Sequence, residues 1–243
     1  MISEKHSFDN CFEVFLADTA ESKRIHYNLR YQVYCDELGY EDKEQFPQQL
    51  EFDEWDQHAV HFMVRHRFTG QWLGALRAVS PHRQTFPFEE KCEVGQPPAA
   101  AEYRNAIEIS RLCVLREARR FAPRILSQTE PDPASNVKYL NTLRQQSRSI
   151  MWGLYRAAVD YSVEHGIEHW FILVAPALAY AVKKQGFQMS QVAEPCEHRG
   201  LRTPYRLEVG HILQNPLWEE DYQLGYRRYS ELEEGNYAVR QRA

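Results

Sequence analysis

The chain has 243 residues, of which 43% are hydrophobic and 26% charged, so it can form a packed core and is not disordered as a whole. Its formal net charge is −5, whereas binding to nucleic acid phosphates normally needs a basic excess, so nucleic acid is not an expected partner. No run reaches the roughly 18 apolar residues of a transmembrane segment. Residues 1–10 are polar and lack the apolar core of a signal peptide.

The cysteine pattern favours buried thiols in a reducing compartment over a disulfide framework or a zinc site, because the five cysteines are odd in number, widely spaced and form no CxxC pair. We therefore expect a cytoplasmic protein. His165 and His169 are four residues apart, but Gly166 lies between them at a predicted helix end, so we predict no metal site. The cysteines are Cys11, Cys35, Cys92, Cys113 and Cys196.

The predicted elements follow the order strand, helix, hairpin, strand, helix, strand, helix, strand. Strands are predicted from short β-branched and aromatic runs, and helices from apolar residues at spacings of three and four. The predicted strands are 11–17, 60–67, 72–79, 107–114, 169–175 and 203–209. One helix is predicted to follow a cap at Asp18. Two more are predicted at 139–164 and 177–184. This order predicts an α/β fold with one mixed sheet and helices on both of its faces.

No linker divides this pattern. We expect a single domain over residues 1–211, which includes a basic, proline-broken insert at 116–138. Residues 212–243 are polar and rich in tyrosine, and we expect them to form an extension with one helix packed on the same domain.

The strand at 107–114 is the most informative segment, because it is apolar yet carries Glu108 and Arg111. Burying either charge alone is costly, so each needs a partner or a function. Glu108 and Arg111 face opposite sides of a regular strand, and a β-bulge is needed to bring both to one site. A purely structural ion-pair network is the alternative to a functional cluster. The expected partners, grouped with Arg111 around one cleft, are Arg30, Asp53, Asp56 and Arg77.

Other catalytic motifs have little support. The chain has no GxGxxG, no Walker loop and no GxSxG elbow, which argues against nucleotide-dependent and serine-hydrolase readings. Cys113 lies in an apolar strand without a neighbouring histidine, so we expect it to pack in the core rather than act as a nucleophile. His58 and His61 flank a strand start, and we expect satisfied or exposed side chains there rather than ligands.

Two sets of segments resemble known families. The helix at 177–187, which ends Lys–Lys–Gln–Gly–Phe, resembles the closing pattern of the GNAT acyltransferase fold. Several segments between about residues 30 and 114 closely resemble, in order, spacing and charge, the acyl-homoserine-lactone (autoinducer) synthases of the LuxI type, which belong to the GNAT superfamily. These segments are Arg30–Tyr34, Tyr40, Glu51–Asp56, Gly74–Arg77 and Glu108–Arg111.

The chain also departs from the lactone synthases. Tyr34 and Tyr40 stand where those enzymes typically have phenylalanine and tryptophan, and the chain is longer. In these respects it is similar to the bacterial acyltransferases associated with PEP-CTERM/exosortase systems and to N-acyl amino acid synthases. Glu108–Val114 and Gly200–Tyr205 fit that group better. The departures bear on the lactone product and not on acyl transfer.

The resemblance implies a GNAT acyl-CoA N-acyltransferase fold and an enzyme that moves a fatty acyl group from acyl carrier protein to the amine of a small amino-acid-like acceptor. It implies no bound cofactor, since the acyl-phosphopantetheine is a substrate. Glu108 is the expected base, and Ser110 and Arg111 complete the expected catalytic group, with Arg111 bracing the charges. The expected substrate-binding residues are Arg30, Tyr34, Tyr40, Asp53, Asp56, Arg77, Leu112 and Cys113.

The donor is predicted from the residues that follow the central strand, Val114–Arg120, which contain arginines but no glycine. A backbone cradle for the diphosphate of coenzyme A is therefore poorly formed, whereas a basic stretch suits an acidic carrier protein. The expected carrier-binding residues are Arg116, Arg119 and Arg120. An acyl-coenzyme A donor and a merely solvated basic loop are the alternatives. A lactone synthase and a non-catalytic acyl-binding module are the alternative functions.

An apolar tunnel for the acyl chain is expected along Phe171, Leu173 and the helix face of Met151 and Trp152. For each of these residues, simple core packing is the alternative.

Overall fold

The structure is a computed structural model that describes residues 7–83, 85–94, 103–119 and 133–232. A mixed sheet runs through it in the strand order β6–β8–β5–β4–β3–β2–β1–β9, and β7 pairs with β8. The β4–β5 and β1–β9 pairs are parallel and the other neighbours are antiparallel. The strands are β1 Phe12–Leu16, β2 Ala59–His66, β3 Trp72–Val79, β4 Ala106–Val114, β5 His169–Val174, β6 Ser190–Gln191, β7 Cys196–Glu197, β8 Leu201–Glu208 and β9 Tyr226–Arg228.

Helices cover both faces of the sheet, as the predicted α/β fold requires. The α-helices are α1 Phe8–Cys11, α2 Ala20–Tyr31, α3 Pro133–Glu164, α4 Pro176–Lys184 and α5 Val209–Leu213. A π-helix, Gln32–Glu37, continues α2 without a break. Short 3-10 helices lie at Lys43–Gln45, Glu54–His58, Pro87–Glu90, Arg116–Arg119 and Pro216–Trp218. Among the helices described, none is both long enough and apolar enough to cross a lipid bilayer.

Two helix starts differ from the predictions. Thr19, rather than Asp18, caps α2, because its hydroxyl accepts a hydrogen bond from the Ser22 N–H while the Ser22 hydroxyl accepts one from the Thr19 N–H. Helix α3 begins at Pro133 and not near residue 139. Proline is tolerated in the first turn of a helix, where its missing N–H would have no intrahelical partner, so it does not stop the helix here.

The predicted helix after residue 211 is not tested, because residues 229–232 are helical and the residues that follow lie outside the described part of the chain. Before these residues, the chain forms the 3-10 turn at Pro216–Trp218 and then β9, which pairs in parallel with β1. This strand covers the edge of the sheet, whose unpaired backbone groups would otherwise be exposed. Residues 233–243 lie outside the described part of the chain, and the division between 1–211 and 212–243 stays a prediction.

The two faces of the sheet have different chemistry. On the α3 face, α3 and α4 pack over an apolar core that includes Phe62, Val64, Leu76, Ala78, Ile107, Ile109, Trp170 and Ile172. On the α2 face, the apolar contacts divide into two smaller clusters. Because side chains alternate along a strand, Arg77, Glu108 and Ser110 lie on the α2 face, between these clusters.

The cysteines also differ from the prediction. Cys92 and Cys196 form a disulfide, while Cys11, Cys35 and Cys113 are free. The sequence hides this pair, because the two residues are 104 positions apart and neither belongs to a recognisable motif. The disulfide joins the loop after the Pro87–Glu90 turn to β7.

Candidate functional site

Strand β4 is bulged at its centre, as the prediction for Glu108 and Arg111 required. Its register with β3 passes from Arg77 opposite Ser110 to Ala75 opposite Cys113, so one residue of β3 faces two residues of β4. Arg111 lies in this bulge with a φ of 49°, in the left-handed region that residues other than glycine seldom adopt. The bulge turns the Arg111 side chain to the α2 face, where its ion-pair partners lie.

The same stretch of β4 separates from β5. The parallel pairing runs from Ala106 opposite His169 to Ile109 opposite Ile172, and there it ends, although both strands continue. Ser110–Cys113 are therefore not paired with β5. A splayed strand of this kind leaves backbone N–H and C=O groups available to a ligand.

The π-helix positions an aromatic side chain against the bulge. The Tyr34 hydroxyl donates a hydrogen bond of 3.0 Å to the Leu112 carbonyl, and the Arg111 guanidinium lies 5.7 Å from the centre of the Tyr34 ring. The N–H of Tyr40 donates to the Tyr34 carbonyl at 2.8 Å. Tyr40 itself is 39% exposed at the rim of the site. Tyr34 thus supports the bulge, and Tyr40 faces solvent.

Arg30 is the buried centre of the charge cluster, by which we mean Arg30, Glu51, Asp53, Asp56, Arg77 and Arg111. Its side chain has no exposed surface, and its guanidinium contacts Glu51 at 2.5 Å and Asp56 at 2.6 Å. Burial would raise the pKa of the Glu51 carboxyl, but the nearby guanidiniums of Arg30 and Arg111 outweigh it and hold that pKa below its usual value. Glu51 therefore stays ionised, and Arg30 has a charged partner on each side.

Arg77 connects this centre to β4. Its guanidinium contacts Asp53 at 2.5 Å and Asp56 at 3.2 Å, and its Nε donates to the Ser110 hydroxyl at 3.1 Å. Asp56 also contacts Nε2 of His61 at 2.9 Å. Burial opposes ionisation of Asp56, but the hydrogen bond to His61 and the two arginines hold its pKa well below the usual range.

Arg111 closes the charge cluster at the surface. Its guanidinium contacts Glu51 at 3.2 Å, Asp53 at 2.9 Å and Glu41 at 3.5 Å, and its side chain keeps 17% exposure. Arg199, from the hairpin between β7 and β8, also bonds to Glu41. The prediction that Arg30, Asp53, Asp56, Arg77 and Arg111 lie together is confirmed.

Glu108 lies beside the charge cluster rather than in it. Its carboxylate accepts a 2.8 Å hydrogen bond from the Phe88 N–H, and the rings of Phe88, Phe86 and Phe171 pack nearby in one aromatic cluster. Burial raises the pKa of Glu108 to about 8, although the Phe88 N–H and the guanidiniums of Arg77 and Arg111 act in the opposite direction. A carboxyl group that titrates near neutral pH suits proton transfer.

The other predicted residues have simpler surroundings. Burial raises the pKa of the Cys113 thiol to about 12, and its side chain packs in an apolar cluster, so the prediction of core packing is confirmed. Phe171 packs on the α2 face, whereas Met151 and Trp152 pack in the core of the α3 face, so the four residues predicted for one tunnel do not line a common surface.

The predicted carrier-binding arginines follow β4. Arg116 is exposed at the start of a 3-10 helix, and its backbone N–H donates to a Glu37 carboxylate oxygen at 2.8 Å. Arg119 ends that helix, and Arg120 lies outside the described residues.

Four residues of the site were not among the site residues that the sequence predicted. Glu51 belongs to the segment Glu51–Asp56, which the resemblance includes. Its position two residues before Asp53 was the available signal. Nothing in the sequence marks Glu41 or Arg199 as partners, because they are 158 residues apart. His61 was expected to be satisfied or exposed; it is buried, its Nε2 contacts Asp56, and its Nδ1 has no hydrogen-bond partner among the described residues.

Comparisons with known proteins bear on the fold and the type of enzyme. Residues 29–126 match the model of a family described as an acetyltransferase (GNAT) domain. The match spans all members of the charge cluster together with Glu108 and Ser110, and it supports the prediction of an acyltransferase. No curated protein matches the sequence.

Solved structures with the same fold include lactone synthases. The AHL synthase LasI is 16% identical, with 82% of this chain and 90% of that chain covered and a TM-score of 0.52. BjaI, a CoA-dependent acyl-homoserine lactone synthase solved with SAM and isopentyl-CoA, is 16% identical, with 82% and 83% covered and a TM-score of 0.55. FeeM, an N-acyl amino acid synthase from uncultured soil microbes, is 12% identical, with 86% and 97% covered and a TM-score of 0.51. At these identities the likeness shows a shared fold, and it agrees with the predicted GNAT fold.

Proposed function

We propose that this chain is a GNAT-type N-acyltransferase that moves a fatty acyl group from the thioester of acyl carrier protein to the amine of a small amino-acid-like acceptor. One observation carries the proposal. Glu108, a buried carboxyl group whose pKa is raised to about 8, lies next to the stretch of β4 that is bulged and unpaired with β5.

The chemistry of the reaction matches these two features. The Glu108 carboxylate takes a proton from the acceptor's ammonium group, directly or through one water, and the free amine attacks the thioester carbonyl carbon. Backbone groups of Ser110–Cys113 orient the thioester and stabilise the negative charge that develops on its oxygen. The new C–N bond forms, the C–S bond breaks, and the thiol of the phosphopantetheine leaves with a proton.

The charge cluster is assigned to the acceptor. Arg30, Asp56 and Arg77 are buried and bonded to one another, so they hold the acidic loop in place. Asp53 and Arg111 keep part of their surface exposed and are the members that can contact the polar head of an acceptor. Tyr40 lies at the rim beside them and is assigned to the same side of the site.

The donor assignment rests on charge. Arg116, Arg119 and Arg120 follow the open end of β4, where a phosphopantetheine arm would enter, and acidic carrier proteins are attracted to such a surface. Acyl-coenzyme A is the competing donor, because BjaI, which shares the fold, is CoA-dependent. A lactone is the competing product, because LasI and BjaI are lactone synthases.

The decisive experiment replaces the proposed base. Purified wild-type protein and Glu108→Gln are given acyl carrier protein loaded with a fatty acyl group and a panel of amino acids and SAM, and both thiol release and product mass are recorded. We expect Glu108→Gln to lower the rate about 10²-fold or more at neutral pH. The wild-type rate should rise from pH 6 to pH 9, since the base is protonated below about pH 8.

Glu89→Gln is the matched control, because Glu89 is a neighbouring carboxylate bonded to Tyr103 and to the Phe86 N–H. Its rate should stay within a few-fold of wild type. Equal rates for Glu108→Gln and wild type would remove Glu108 from the mechanism. Lactone masses in place of N-acyl amino acid masses would replace the proposed product, and acyl binding without thiol release would identify a non-catalytic module.

The donor is tested by reversing two charges. Arg119→Glu with Arg120→Glu should raise the KM for acyl carrier protein at low salt, and the difference should shrink as salt screens exposed charges over about 8 Å at physiological ionic strength. Acyl-pantetheine, which lacks the protein, should be used equally by both forms. Unchanged carrier-protein kinetics at low salt, or a higher kcat/KM for acyl-coenzyme A, would reject the carrier assignment.

A further inference from the structure

The Cys92–Cys196 disulfide joins two segments that both reach the candidate site. On one side, the Cys92 N–H donates to the Phe88 carbonyl at 3.0 Å, and the Phe88 N–H donates in turn to the Glu108 carboxylate at 2.8 Å. On the other side, Cys196 begins β7, which forms a hairpin with β8 that carries Arg199 at its tip. One covalent bond thus links the segment beside the proposed base to this hairpin.

The turn at Pro87–Glu90 is held by contacts of its own. The Glu89 carboxylate accepts hydrogen bonds from the Phe86 N–H at 2.7 Å and from the Tyr103 hydroxyl at 2.6 Å. The rings of Phe86 and Phe88 are buried in the aromatic cluster. We therefore expect the proposed base to keep its backbone partner when the disulfide is broken.

The hairpin, by contrast, extends past the paired part of the sheet. Pairing of β8 with β5 begins at Thr203, so residues 196–202 lie beyond it. Within this stretch, the His198 N–H donates to the Gly200 carbonyl at 3.1 Å, and the Gly200 N–H donates to the Glu197 carboxylate at 3.0 Å. These bonds are internal to the hairpin, so it can keep its own shape while it moves as a unit.

The hairpin meets the charge cluster through an ion pair that is weaker than the disulfide. Arg199 bonds to Glu41, whose carboxylate also lies 3.5 Å from the Arg111 guanidinium, and the side chains of Arg199 and Glu41 are 22% and 18% exposed. An ion pair between partly exposed side chains contributes little to stability. A covalent bond between segments 104 positions apart restricts their separation much more strongly. The disulfide is therefore the main restraint on the position of the hairpin.

The disulfide is accessible from one side and belongs to a chain that also has free thiols. Cys196 is partly exposed between exposed neighbours, whereas Cys92 is 4% exposed. Cys11, Cys35 and Cys113 are free, and the sequence pattern favours a reducing compartment, where disulfides are usually transient or redox-sensing. A disulfide in this setting fits a switch better than a permanent cross-link.

We propose that Cys92 and Cys196 form a redox switch. The disulfide form holds the hairpin against Glu41 at the edge of the charge cluster, and the dithiol form releases it, so that oxidation raises the affinity of the site for the acceptor. A preformed site binds more tightly, because less freedom is lost on binding. The inference rests on the proposed function for the assignment of this edge to the acceptor, whereas release of the hairpin can be measured without any turnover.

A low-molecular-weight thiol, such as glutathione, is the reductant. Its thiolate attacks the accessible Cys196 sulfur, the bond between the two cysteines breaks, and the Cys92 sulfur leaves with the electron pair and takes up a proton. A second glutathione thiolate attacks the glutathione sulfur of the mixed disulfide, and the Cys196 sulfur leaves in the same way. Two glutathione thiols become one oxidised glutathione, and two electrons and two protons pass to the protein. Oxidation runs through the same steps in reverse.

Hydrogen–deuterium exchange of the intact protein tests the release of the hairpin. Wild-type protein is compared after treatment with oxidised glutathione and after treatment with dithiothreitol. On reduction, the amides of residues 196–202 should exchange about tenfold faster or more, while those of residues 86–90 should change by about twofold at most. Equal exchange of the hairpin in the two forms would overturn the proposal. A protein that stays fully oxidised in an excess of reduced glutathione would also overturn it.

Cys196→Ser removes the switch at its accessible end, and Cys11→Ser, which replaces a free thiol outside the pair, is the matched control. Cys196→Ser should show the exchange pattern of the reduced form whether or not oxidant is added. Cys11→Ser should keep the response of the wild type. A Cys196→Ser hairpin as protected as that of the oxidised wild type would contradict the switch.

The kinetic experiment uses acyl carrier protein loaded with a fatty acyl group and whichever acceptor of the panel reacts fastest. Product mass is recorded, because dithiothreitol obscures thiol release. Reduction should raise the acceptor KM about tenfold and leave kcat and its pH dependence, which depends on Glu108, within about twofold. A change in kcat or in the pH dependence with an unchanged acceptor KM would overturn the proposal. If neither form turns over, the proposed function fails, and the exchange experiment still decides the switch.

Discussion

The two faces of the central sheet are built from the same strands but are held together differently. On β3, Leu76 and Ala78 point to the α3 face and pack in the apolar core, while Arg77 between them points to the α2 face and is bonded to two aspartates. On β4, Ile109 packs in that same core, and its neighbour Glu108 lies among aromatic rings on the other side. Because side chains alternate along a strand, the apolar residues lie on one face of the sheet and the charged residues lie on the other.

The difference lies in what each face tolerates. Apolar cores accept side chains of similar volume with modest losses, because the hydrophobic effect has no direction. Each buried charge on the α2 face instead depends on particular partners, and removing one partner leaves another charge buried and unpaired. We therefore expect the α2 face to be the more sensitive of the two, which the following substitutions examine from the largest effect to the smallest.

Arg30→Met should have the largest effect. Methionine fills a similar volume, but Glu51 and Asp56 then stay buried with fewer cationic partners, so we expect a loss of about 3–5 kcal/mol in the free energy of unfolding, measured by urea denaturation. Combining Arg30→Met with Glu51→Gln also removes the Glu51 charge, which lost its partner in the single variant. The double variant should lose less than the sum of the two single variants. Additive losses would show that the members of the charge cluster act independently.

Much of this difference between the two faces could be predicted from the sequence. Short apolar, β-branched and aromatic runs predicted β3 and β4, and the need to pair Glu108 and Arg111 with other charges predicted both the partners and the bulge. These inferences succeed because period, burial and charge balance are local physical requirements. The order of the predicted strands and helices along the chain also predicted an α/β fold.

What the sequence left out depends on contacts between distant segments. The Cys92–Cys196 disulfide and the Arg199–Glu41 pair join residues more than 100 positions apart, and no local pattern specifies either one. The strand at Tyr226–Arg228 was also missed, because a three-residue edge strand is set by the neighbour whose edge it covers and not by its own period. Long-range pairing was thus the missing information, and not the identity of the charged residues.

Gly153→Ala tests the α3 face and should have an intermediate effect. A Cβ added at Gly153 would lie 2.0 Å from Cζ of Phe8, a buried ring that α1 holds against α3, so the ring and its short helix must shift. Overpacking of this kind costs about 1–3 kcal/mol. Gly210→Ala is the matched control, because no atom lies within 4 Å of its added Cβ, and its free energy of unfolding should equal or slightly exceed that of wild type. A Gly153→Ala protein as stable as wild type would mean that this face can repack freely.

Tyr34→Phe should have the smallest effect, and it isolates one hydrogen bond on the α2 face. The Tyr34 hydroxyl is bonded to the Leu112 carbonyl in the bulge, so phenylalanine keeps the ring and its contact with Arg111 but leaves that carbonyl without its donor. We expect a loss of about 1 kcal/mol. Tyr155→Phe is the matched change on the α3 face, where the tyrosine packs in the apolar core and makes no hydrogen bond within the described residues, and it should cost less. If both substitutions cost the same, the hydroxyl of Tyr34 adds nothing to the bulge, and the difference between the two faces would rest on the charges alone.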